Sequence, residues 1–233
     1  MLRTRNLLLK NLKMKSTSTD NNISQKVAKI LFDMGCVIFR SKRPIKLMSG
    51  VLSPIYVDNR RLMSFPKERR KVATFLAESI QEIGLPQVIA GAATGGIPHA
   101  AWVAERLNLP MVYVRSKPKM HGQGNQVEGV LRRGQSVVVI EDMVSTASSS
   151  SVVIRSLKDL GALVKHEVAI YTHTLSEADK NFSKLKIFFH PLTNLREVVK
   201  VAKGKGFLKD EDEKIILNWA KDPKNWAKRM GFA

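Results

Sequence analysis

The sequence predicts an α/β fold built on a parallel sheet with helices on both faces. From Pro66 to Phe189, apolar runs rich in β-branched residues alternate with segments of helical periodicity. This alternation is typical of β–α–β units, whose parallel strands are buried on both faces. The clearest strand, Val137 to Ile140, is followed by two adjacent acids, Glu141 and Asp142. Because ligands bind beyond the carboxyl ends of such strands, these acids predict the position of a site.

The composition is that of a globular protein with one sizeable core. The chain has 233 residues, of which 44% are hydrophobic and 25% are charged. These values lie in the ordinary range for such proteins. No apolar run approaches the roughly 20 residues that a membrane span needs, so we expect no membrane partner. The single cysteine, Cys36, excludes an intramolecular disulfide and indicates a reducing compartment. We interpret Cys36 as a core residue.

The formal net charge of +19 is large. It is compatible with nucleic acid, an anionic membrane, a multiply phosphorylated substrate, or the background of a basic proteome. Aromatic residues make up only 6% of the chain, and no patch interleaves basic and aromatic residues for stacking bases. We therefore favour a phosphorylated substrate together with background charge, and expect no nucleic-acid partner.

The first 22 residues are expected to lie outside the fold as a disordered basic tail. Met1 to Thr19 contain five basic residues and no acid. This composition resembles a transit peptide, but an upstream start before Met14 accounts for it equally well. We expect a cytoplasmic protein, or an organellar one if residues 1–19 are a transit peptide.

The next segment, residues 23–65, is predicted to begin with a helix that ends at Gly35. Gly50 and Pro54 then interrupt the chain, and Ile55 to Val57 reads as a short strand. The run Asp58-Asn59-Arg60 is equally well explained as a charged surface turn or as a functional segment.

A helix is predicted from Pro66 to a stop at Gly84. The glycine pair that follows the next strand, in Thr94-Gly95-Gly96, would let backbone amides approach an oxyanion, although such pairs also simply make turns. A helix is then expected from near Pro98. Besides Val137 to Ile140, the core strands are expected at Gln87–Ala93, Met111–Arg115, Val164–Tyr171 and Leu185–Phe189.

Two further stretches carry residues suited to anions. Residues 115–129 contain three glycines, a proline and several cations, as a mobile lid over a diphosphate would require. A solvated basic loop is the alternative. Ser145 to Ser149 lead into a helix, and a helix N-terminus suits phosphate. With the two acids just before it, this stretch suggests a phosphorylated sugar, although an ordinary serine-capped junction would look similar.

Taken together, these stretches resemble the orotate phosphoribosyltransferases, in particular the bacterial members of this type I phosphoribosyltransferase family. The likeness rests on four motifs in the family's order, at residues 49–56, 91–100, 115–129 and 137–151. It implies the type I fold, a twisted parallel sheet flanked by helices, with a small hood subdomain. Residues 23–65 would form the N-terminal hood segment, residues 66–194 the phosphoribosyltransferase core, and residues 195–233 a C-terminal helical segment packing on the hood.

The resemblance implies transfer of 5-phosphoribosyl from 5-phosphoribosyl diphosphate (PRPP) to orotate, giving orotidine 5′-phosphate and diphosphate. The implied catalytic residues are Lys119, His121 and Asp142. Mg²⁺ is the implied cofactor, held mainly by substrate and water, with Asp142 as the candidate protein ligand. The implied PRPP-binding residues are Arg115, Lys117, Lys119, His121, Thr94, Gly95, Gly96, Glu141, Asp142, Ser145, Thr146, Ala147, Ser148 and Ser149. The implied orotate-binding residues are Ser49, Gly50, Ile55, Tyr56 and Thr146.

The resemblance also implies a homodimer in which lid residues 115–129 reach the neighbouring subunit's site. The chain departs from the family at three places. Met48 stands where some members have lysine, Ala147 stands where glycine is usual, and no arginine follows Tyr171 to pair with the orotate carboxylate. If position 147 needs a positive φ, alanine there would weaken PRPP binding. Two alternatives stay open: a phosphoribosyltransferase for another base, and a PRPP-sensing regulator with the same fold.

Overall fold

The computed structural model describes residues 18–47, 49–116 and 126–232 of the chain. The helices are α1 (Ser18–Asp33), α2 (Pro66–Ile83), α3 (Gly96–Leu107), α4 (Ser148–Asp159), α5 (Ser176–Leu185), α6 (Leu195–Gly204), α7 (Asp210–Lys221) and α8 (Pro223–Arg229), with a 3-10 helix at Asn59–Ser64. The strands are β1 (Val37–Phe39), β2 (Ile45–Lys46), β3 (Leu52–Ser53), β4 (Ile55–Val57), β5 (Val88–Ala92), β6 (Met111–Val114), β7 (Val127–Glu128), β8 (Ser136–Val144), β9 (Leu163–Thr172) and β10 (Phe188–Asn194).

The main sheet has six strands in the order β10-β9-β8-β5-β6-β7. The first five run parallel, and β7 pairs antiparallel with β6 at one edge. All five residues of β5 are buried, as expected for a central strand covered on both faces. The prediction of a parallel α/β sheet flanked by helices is confirmed.

Helices cover the two faces of this sheet, and β8 shows how its side chains are shared between them. Val138 and Ile140 join the core packed against α1, α2, α3 and α6. Val137 and Val139 point the other way, into the core formed with α4 and α5. Because successive side chains of a strand face opposite sides, one apolar run fills both cores.

A small subdomain, the hood, lies beyond the carboxyl edge of the sheet. It consists of two short antiparallel pairs, β1 with β4 and β2 with β3. The C-terminal helices contact it: the Trp219 indole N–H donates to the Leu52 carbonyl at 3.0 Å, and the Ser41 hydroxyl donates to Asp212 Oδ1 at 2.6 Å. Chain segments from both termini therefore meet over one edge of the sheet.

Three boundaries differ from those read off the sequence. Helix α1 begins at Ser18, so residues 18–22 belong to the helix and not to the tail; serine, threonine and aspartate are favoured at helix starts. Strand β10 begins at Phe188, because Leu185 still belongs to α5 and Lys186 ends that helix in a left-handed conformation. Strand β8 continues past Ile140 to Val144. In the described ranges no helix is both long and apolar enough to cross a membrane.

Candidate active site

The two acids stand at the edge of the sheet because the neighbours of β8 end at different heights. On one side, β5 pairs with β8 only as far as Ile140, opposite Gly91. On the other side, pairing with β9 continues to Val144, opposite Thr172. Glu141 and Asp142 therefore belong to a strand that is supported on one side only. The other side is free to face the loop after β5.

Glu141 is buried, and Asp142 is half-buried. Glu141 is only 6% exposed, and its Oε1 accepts a hydrogen bond from the Asp142 backbone N–H at 3.2 Å. Burial raises the pKa of Glu141 well above its ordinary value, and the neighbouring Asp142 raises it further. Burial also raises the pKa of Asp142, while hydrogen bonds oppose that effect. Burial without a cation disfavours the charged form, so this site is prepared for a positively charged or hydroxyl-bearing ligand.

The first glycine loop packs directly against these acids. A Cβ on Gly95 would lie 2.5 and 2.6 Å from the two carboxylate oxygens of Asp142, and a Cβ on Gly96 would lie closer than 3.0 Å to the Ile140 carbonyl oxygen. The peptide bond between Ala93 and Thr94 is cis. Helix α3 starts at Gly96, and no side chain in the described ranges caps it. Its first amides are therefore presented to the same edge as Asp142.

The second loop follows β8 and leads into α4. Its residue Ala147 has φ 60° and ψ 24°, the left-handed conformation that favours glycine. The expectation of weaker PRPP binding depended on a positive φ at position 147. The structure has that positive φ, and an alanine occupies the position. The Thr146 and Ser148 hydroxyls lie 2.9 Å apart. No described side chain caps α4 either, so the loop combines hydroxyls with helix N-terminal amides.

Two contacts that the sequence did not reveal support this second loop. The Asn181 amide of α5 donates to the Thr146 carbonyl at 2.8 Å. The Ser150 hydroxyl donates to Glu167 Oε1 at 2.7 Å, with both side chains almost completely buried. Burial raises the pKa of Glu167 to about 8, and the bond from Ser150 opposes that rise. Glu167 was visible as an acid inside the apolar strand Val164 to Tyr171, whereas Asn181 left no comparable signal.

A cavity of about 510 Å³ lies between the second loop, the hood and the C-terminal helices. Ser49 from the hood and Thr146 from the loop lie on its wall, as do Lys180, Lys221 and Lys224. Of the other expected orotate residues, Ile55 is fully buried in the core, and neither it, Gly50 nor Tyr56 belongs to this wall as far as the structure describes the chain. The alternation of β4 turns Ile55 and Val57 inward.

An aromatic column closes the cavity from the C-terminal side. The Tyr171 hydroxyl lies 2.9 Å from His173 Nδ1, and the His173 ring meets the Trp219 ring edge to face at 5.1 Å. Trp219 in turn donates to the Leu52 carbonyl in the hood. Burial lowers the pKa of His173 to about 4, so this ring is neutral at physiological pH. The column joins the end of β9 to the hood at the point where the family's arginine is missing.

The lid residues are only partly described. Arg115 lies 3.6 Å from Glu128 across the β6–β7 pair, and its carbonyl accepts a hydrogen bond from the Gln126 side chain at 2.7 Å. The expected catalytic residues Lys119 and His121 lie outside the described residues, together with Lys117. Met48 does so as well. Their roles stay predictions.

The described residues fit a hard cation held mostly by its substrate. No group of three or more His, Cys, Asp or Glu side chains gathers in residues 18–47, 49–116 and 126–232. The carboxylates of Glu141 and Asp142 are the oxygen donors at the sheet edge, and Mg²⁺ takes one or two carboxylates with water and substrate oxygens. These residues therefore fit such a cation, with Asp142 as the more accessible of the two acids, and the requirement for Mg²⁺ stays a prediction.

With the geometry in place, comparison with known proteins identifies the family. Residues 60–195, more than half of the chain, match the family model of the phosphoribosyl transferase domain. An orotate phosphoribosyltransferase of Listeria innocua is 45% identical over 208 residues, covering 89% of this chain and all of that relative. The chain belongs to the orotate phosphoribosyltransferases. The family resemblance seen in the four sequence motifs is confirmed.

More distant members of the family agree. The enzyme of Bacillus subtilis is 42% identical over 210 residues, covering 89% of this chain and 97% of its own. The enzyme of Coxiella burnetii is 38% identical over 206 residues, covering 88% and 99%. Among solved structures, the orotate phosphoribosyltransferase of Aeropyrum pernix superposes with a TM-score of 0.66 at 27% identity, over 76% of this chain and 99% of its own. The fold and the family therefore come from independent comparisons.

Proposed function

We propose that this chain transfers the 5-phosphoribosyl group from PRPP to orotate, releasing diphosphate and forming orotidine 5′-phosphate. One observation carries the proposal in this member of the family. The acid pair Glu141–Asp142, two uncapped helix N-termini and the cavity under the hood meet at one edge of the sheet. Carboxylates for ribose hydroxyls, amides for two phosphate groups and a pocket for a base are the parts that this reaction needs.

The reaction develops positive charge on the anomeric carbon as diphosphate departs. In the proposed arrangement Asp142 faces this centre from the sheet edge, where its charge opposes the developing charge. Glu141 lies deeper, and its carboxylate accepts a hydrogen bond from the Asp142 N–H, which holds Asp142 in place. In this arrangement Glu141 also contacts the ribose hydroxyls. No covalent intermediate with the protein is required.

The two loops divide the phosphate groups between them. The loop of Thr94, Gly95 and Gly96 holds the diphosphate next to Asp142, and the loop of Ser145 to Ser149 holds the 5-phosphate at the start of α4. Asp142 would hold Mg²⁺, which would supply positive charge to the oxygens of the bound substrate. Lys119 and His121 of the lid, with Arg115 at its base, take up the negative charge of the leaving diphosphate.

The base is placed in the cavity, with Ser49 and Thr146 on its wall. Lys224 there is paired with Glu177 at 3.4 Å, and Lys221 bonds the Asn218 side chain at 3.0 Å. Lys180 makes no ion pair within the described ranges. The wall carries three lysines against two acids, Glu177 and Asp222. This excess of one cation suits an acidic pyrimidine such as orotate better than an uncharged base.

The test is loss of orotate absorbance with PRPP and Mg²⁺, for the wild type, Lys119→Ala and a control, Lys184→Ala. Lys184 is an exposed lysine in the last turn of α5. Removing the lid cation should lower turnover by orders of magnitude, about 10²-fold or more, because leaving-group charge then lacks its stabilisation. The control should stay near the wild-type rate.

The same assay separates the alternatives. Turnover with uracil or a purine base, but not with orotate, would point to another phosphoribosyltransferase. PRPP binding without turnover of any base, together with salt-sensitive binding of nucleic acid, would point to a regulator.

We further propose a homodimer that shares its lids. Lys119→Ala carries a defective lid, and Asp142→Asn carries a defective sheet-edge acid. If each lid acts in the neighbouring site, a mixed dimer contains one site with both defects and one intact site. Mixing the two inactive variants under exchange conditions should restore about a quarter of wild-type turnover, from random pairing of subunits. Mixtures that stay as inactive as the separate variants would show that each lid serves its own subunit.

We also propose a cytoplasmic location, with an organelle as the alternative. Fluorescent fusions of the full chain and of the chain starting at Met14 distinguish them, because only a transit peptide would make the two fusions differ in location.

A further inference from the structure

The segment Asp58-Asn59-Arg60 has no place in the reaction described so far, yet its middle residue contacts the sheet-edge acid. Asn59 is the first residue of the 3-10 helix and is completely buried. Its Nδ2 donates to the backbone carbonyl of Asp142 at 2.6 Å, across 83 residues of sequence. A carbonyl oxygen can only accept, so the amide must present its NH₂ group to Asp142.

The cost of this contact indicates that packing is not its purpose. Asn59 Oδ1 is buried and has no hydrogen-bond partner among the described residues. Leaving a buried acceptor unsatisfied is unfavourable, whereas an apolar side chain of the same shape would avoid that penalty. An apolar side chain would, however, leave the Asp142 carbonyl without this donor, so what asparagine adds is the bond to Asp142.

That bond completes the fixing of Asp142 from three directions. The Asp142 N–H donates to the Glu141 carboxylate. The Asp142 carboxylate lies against the Gly95 backbone. The carbonyl, on the side where β5 no longer pairs with β8, is held by Asn59. Without Asn59 the Asp142 carbonyl would lose its hydrogen-bond donor on the side of the strand where β5 no longer pairs.

The same residue also joins the hood to the core. Asn59 directly follows β4 and Asp58, and the Asp58 N–H donates to the Cys36 carbonyl at 2.8 Å. Arg60 is paired with Asp58 at 2.6 Å and is mostly exposed. The side-chain amide of Asn59 thus joins the hood segment to β8, the strand that carries Asp142.

We propose that Asn59 is a positioning residue, which orients Asp142 toward the anomeric carbon and fixes the hood relative to it. This inference rests on the role proposed above for Asp142. The expected signature is a fall in kcat with little change in KM, because most of the groups proposed to bind PRPP and orotate are unaffected by this change. A misplacement of about 1 Å of a group at the reacting centre typically costs on the order of 10²-fold in rate.

The experiment compares Asn59→Leu with Asn59→Asp. Both lack an amide donor at pH 8, and both should lower kcat about 10²-fold while each KM stays within about threefold. The carboxyl introduced by Asn59→Asp would be buried near Glu141, Asp142 and Asp58. Burial and these acids favour its protonated form, whereas Arg60 opposes it. Once protonated it can donate to the Asp142 carbonyl. The ratio of Asn59→Asp to wild-type kcat should therefore rise at least about tenfold from pH 8 to pH 6, whereas that of Asn59→Leu stays flat.

A control and a second readout separate the causes. Ser64→Asp adds the same charge at the exposed end of the same 3-10 helix and should leave kcat unchanged. Hydrogen–deuterium exchange of the peptide covering residues 141–147 should increase in Asn59→Leu, whether or not orotate is the substrate. Variants within about twofold of wild type, or an Asn59→Asp ratio that does not change with pH, would overturn the proposal. Absence of wild-type turnover with orotate, with faster exchange still seen in Asn59→Leu, would instead refute the proposed function alone.

Discussion

The loops after β5 and after β8 both lead from a parallel strand into a helix N-terminus, but their small residues have different purposes. In the first loop, positions 95 and 96 require glycine because the Asp142 carboxylate and the Ile140 carbonyl occupy the space that a side chain would need. In the second loop, Ala147 is buried and adopts φ 60°, although it is not a glycine. The first loop is limited by space, and the second by backbone conformation.

This difference predicts that two glycine-type positions with the same proposed ligand, a phosphate group, respond to substitution in opposite ways. Where space is the limit, adding a methyl group must displace the atoms that build the site. Where conformation is the limit, a methyl group is tolerated at a cost in free energy of roughly 1–2 kcal/mol. The predictions below test this contrast, and begin with the largest effect.

Gly96→Ala should be the most damaging. Its Cβ would overlap a backbone carbonyl of β8, which cannot move without disturbing the sheet. We expect turnover to fall by about 10³-fold or more, and thermal unfolding to occur several degrees lower. Gly204→Ala is the matched control, because nothing lies within 4 Å of the added methyl there. Wild-type turnover in Gly96→Ala would contradict the packing seen in this loop.

Gly95→Ala should lower the stability less than Gly96→Ala does, but it should still lower kcat. Here the added methyl meets the Asp142 side chain, which can rotate away. The melting temperature should stay near that of the wild type, while kcat falls about 10²-fold because Asp142 has been turned from the reacting centre. Steady-state kinetics and calorimetry on the same preparation check both parts. Equal losses of stability in Gly95→Ala and Gly96→Ala would show that displacing the Asp142 side chain costs as much as displacing the Ile140 backbone carbonyl.

Ala147→Gly should improve binding. Glycine relieves the left-handed strain, so the loop spends more time in the phosphate-binding conformation, and KM for PRPP should fall about threefold. Net stability should change by less than about 1 kcal/mol, because glycine also gains freedom in the unfolded chain. Initial rates at varied PRPP provide the measurement, and an unchanged KM would show that position 147 does not limit binding.

Glu167→Gln should have the smallest effect on activity and a pH-dependent effect on stability. The folded pKa of about 8 lies above the ordinary value of 4.5, so the wild type loses stability as pH rises through this interval. The amide keeps an oxygen for Ser150 and does not titrate. The variant's melting temperature relative to wild type should therefore increase from pH 5 to pH 9, by about 3 °C or more. A difference that is the same at every pH would show that Glu167 does not ionise over this range.

Much of this protein could be predicted from its sequence because the signals are local. Alternating apolar runs and helical periodicities predicted the parallel sheet, and strand-loop-helix junctions placed Gly95, Asp142 and Ala147 at its carboxyl edge. Even the strain at Ala147 was foreseen as a condition on φ. Strand and helix periodicity depends on neighbours a few residues away, so a single chain displays it.

Only the tertiary structure decided which residues meet across long stretches of chain. It brought Asn59 to the Asp142 carbonyl, Trp219 to the hood, and Glu167 beneath Ser150. It also ended the β5 pairing at Ile140, which exposes the acids to the first loop on one side of β8. Such contacts depend on the heights at which neighbouring strands end and on how helices pack. Neither property is encoded in the periodicity of any one segment, so the sequence placed the loops and acids while packing chose the residues that hold them.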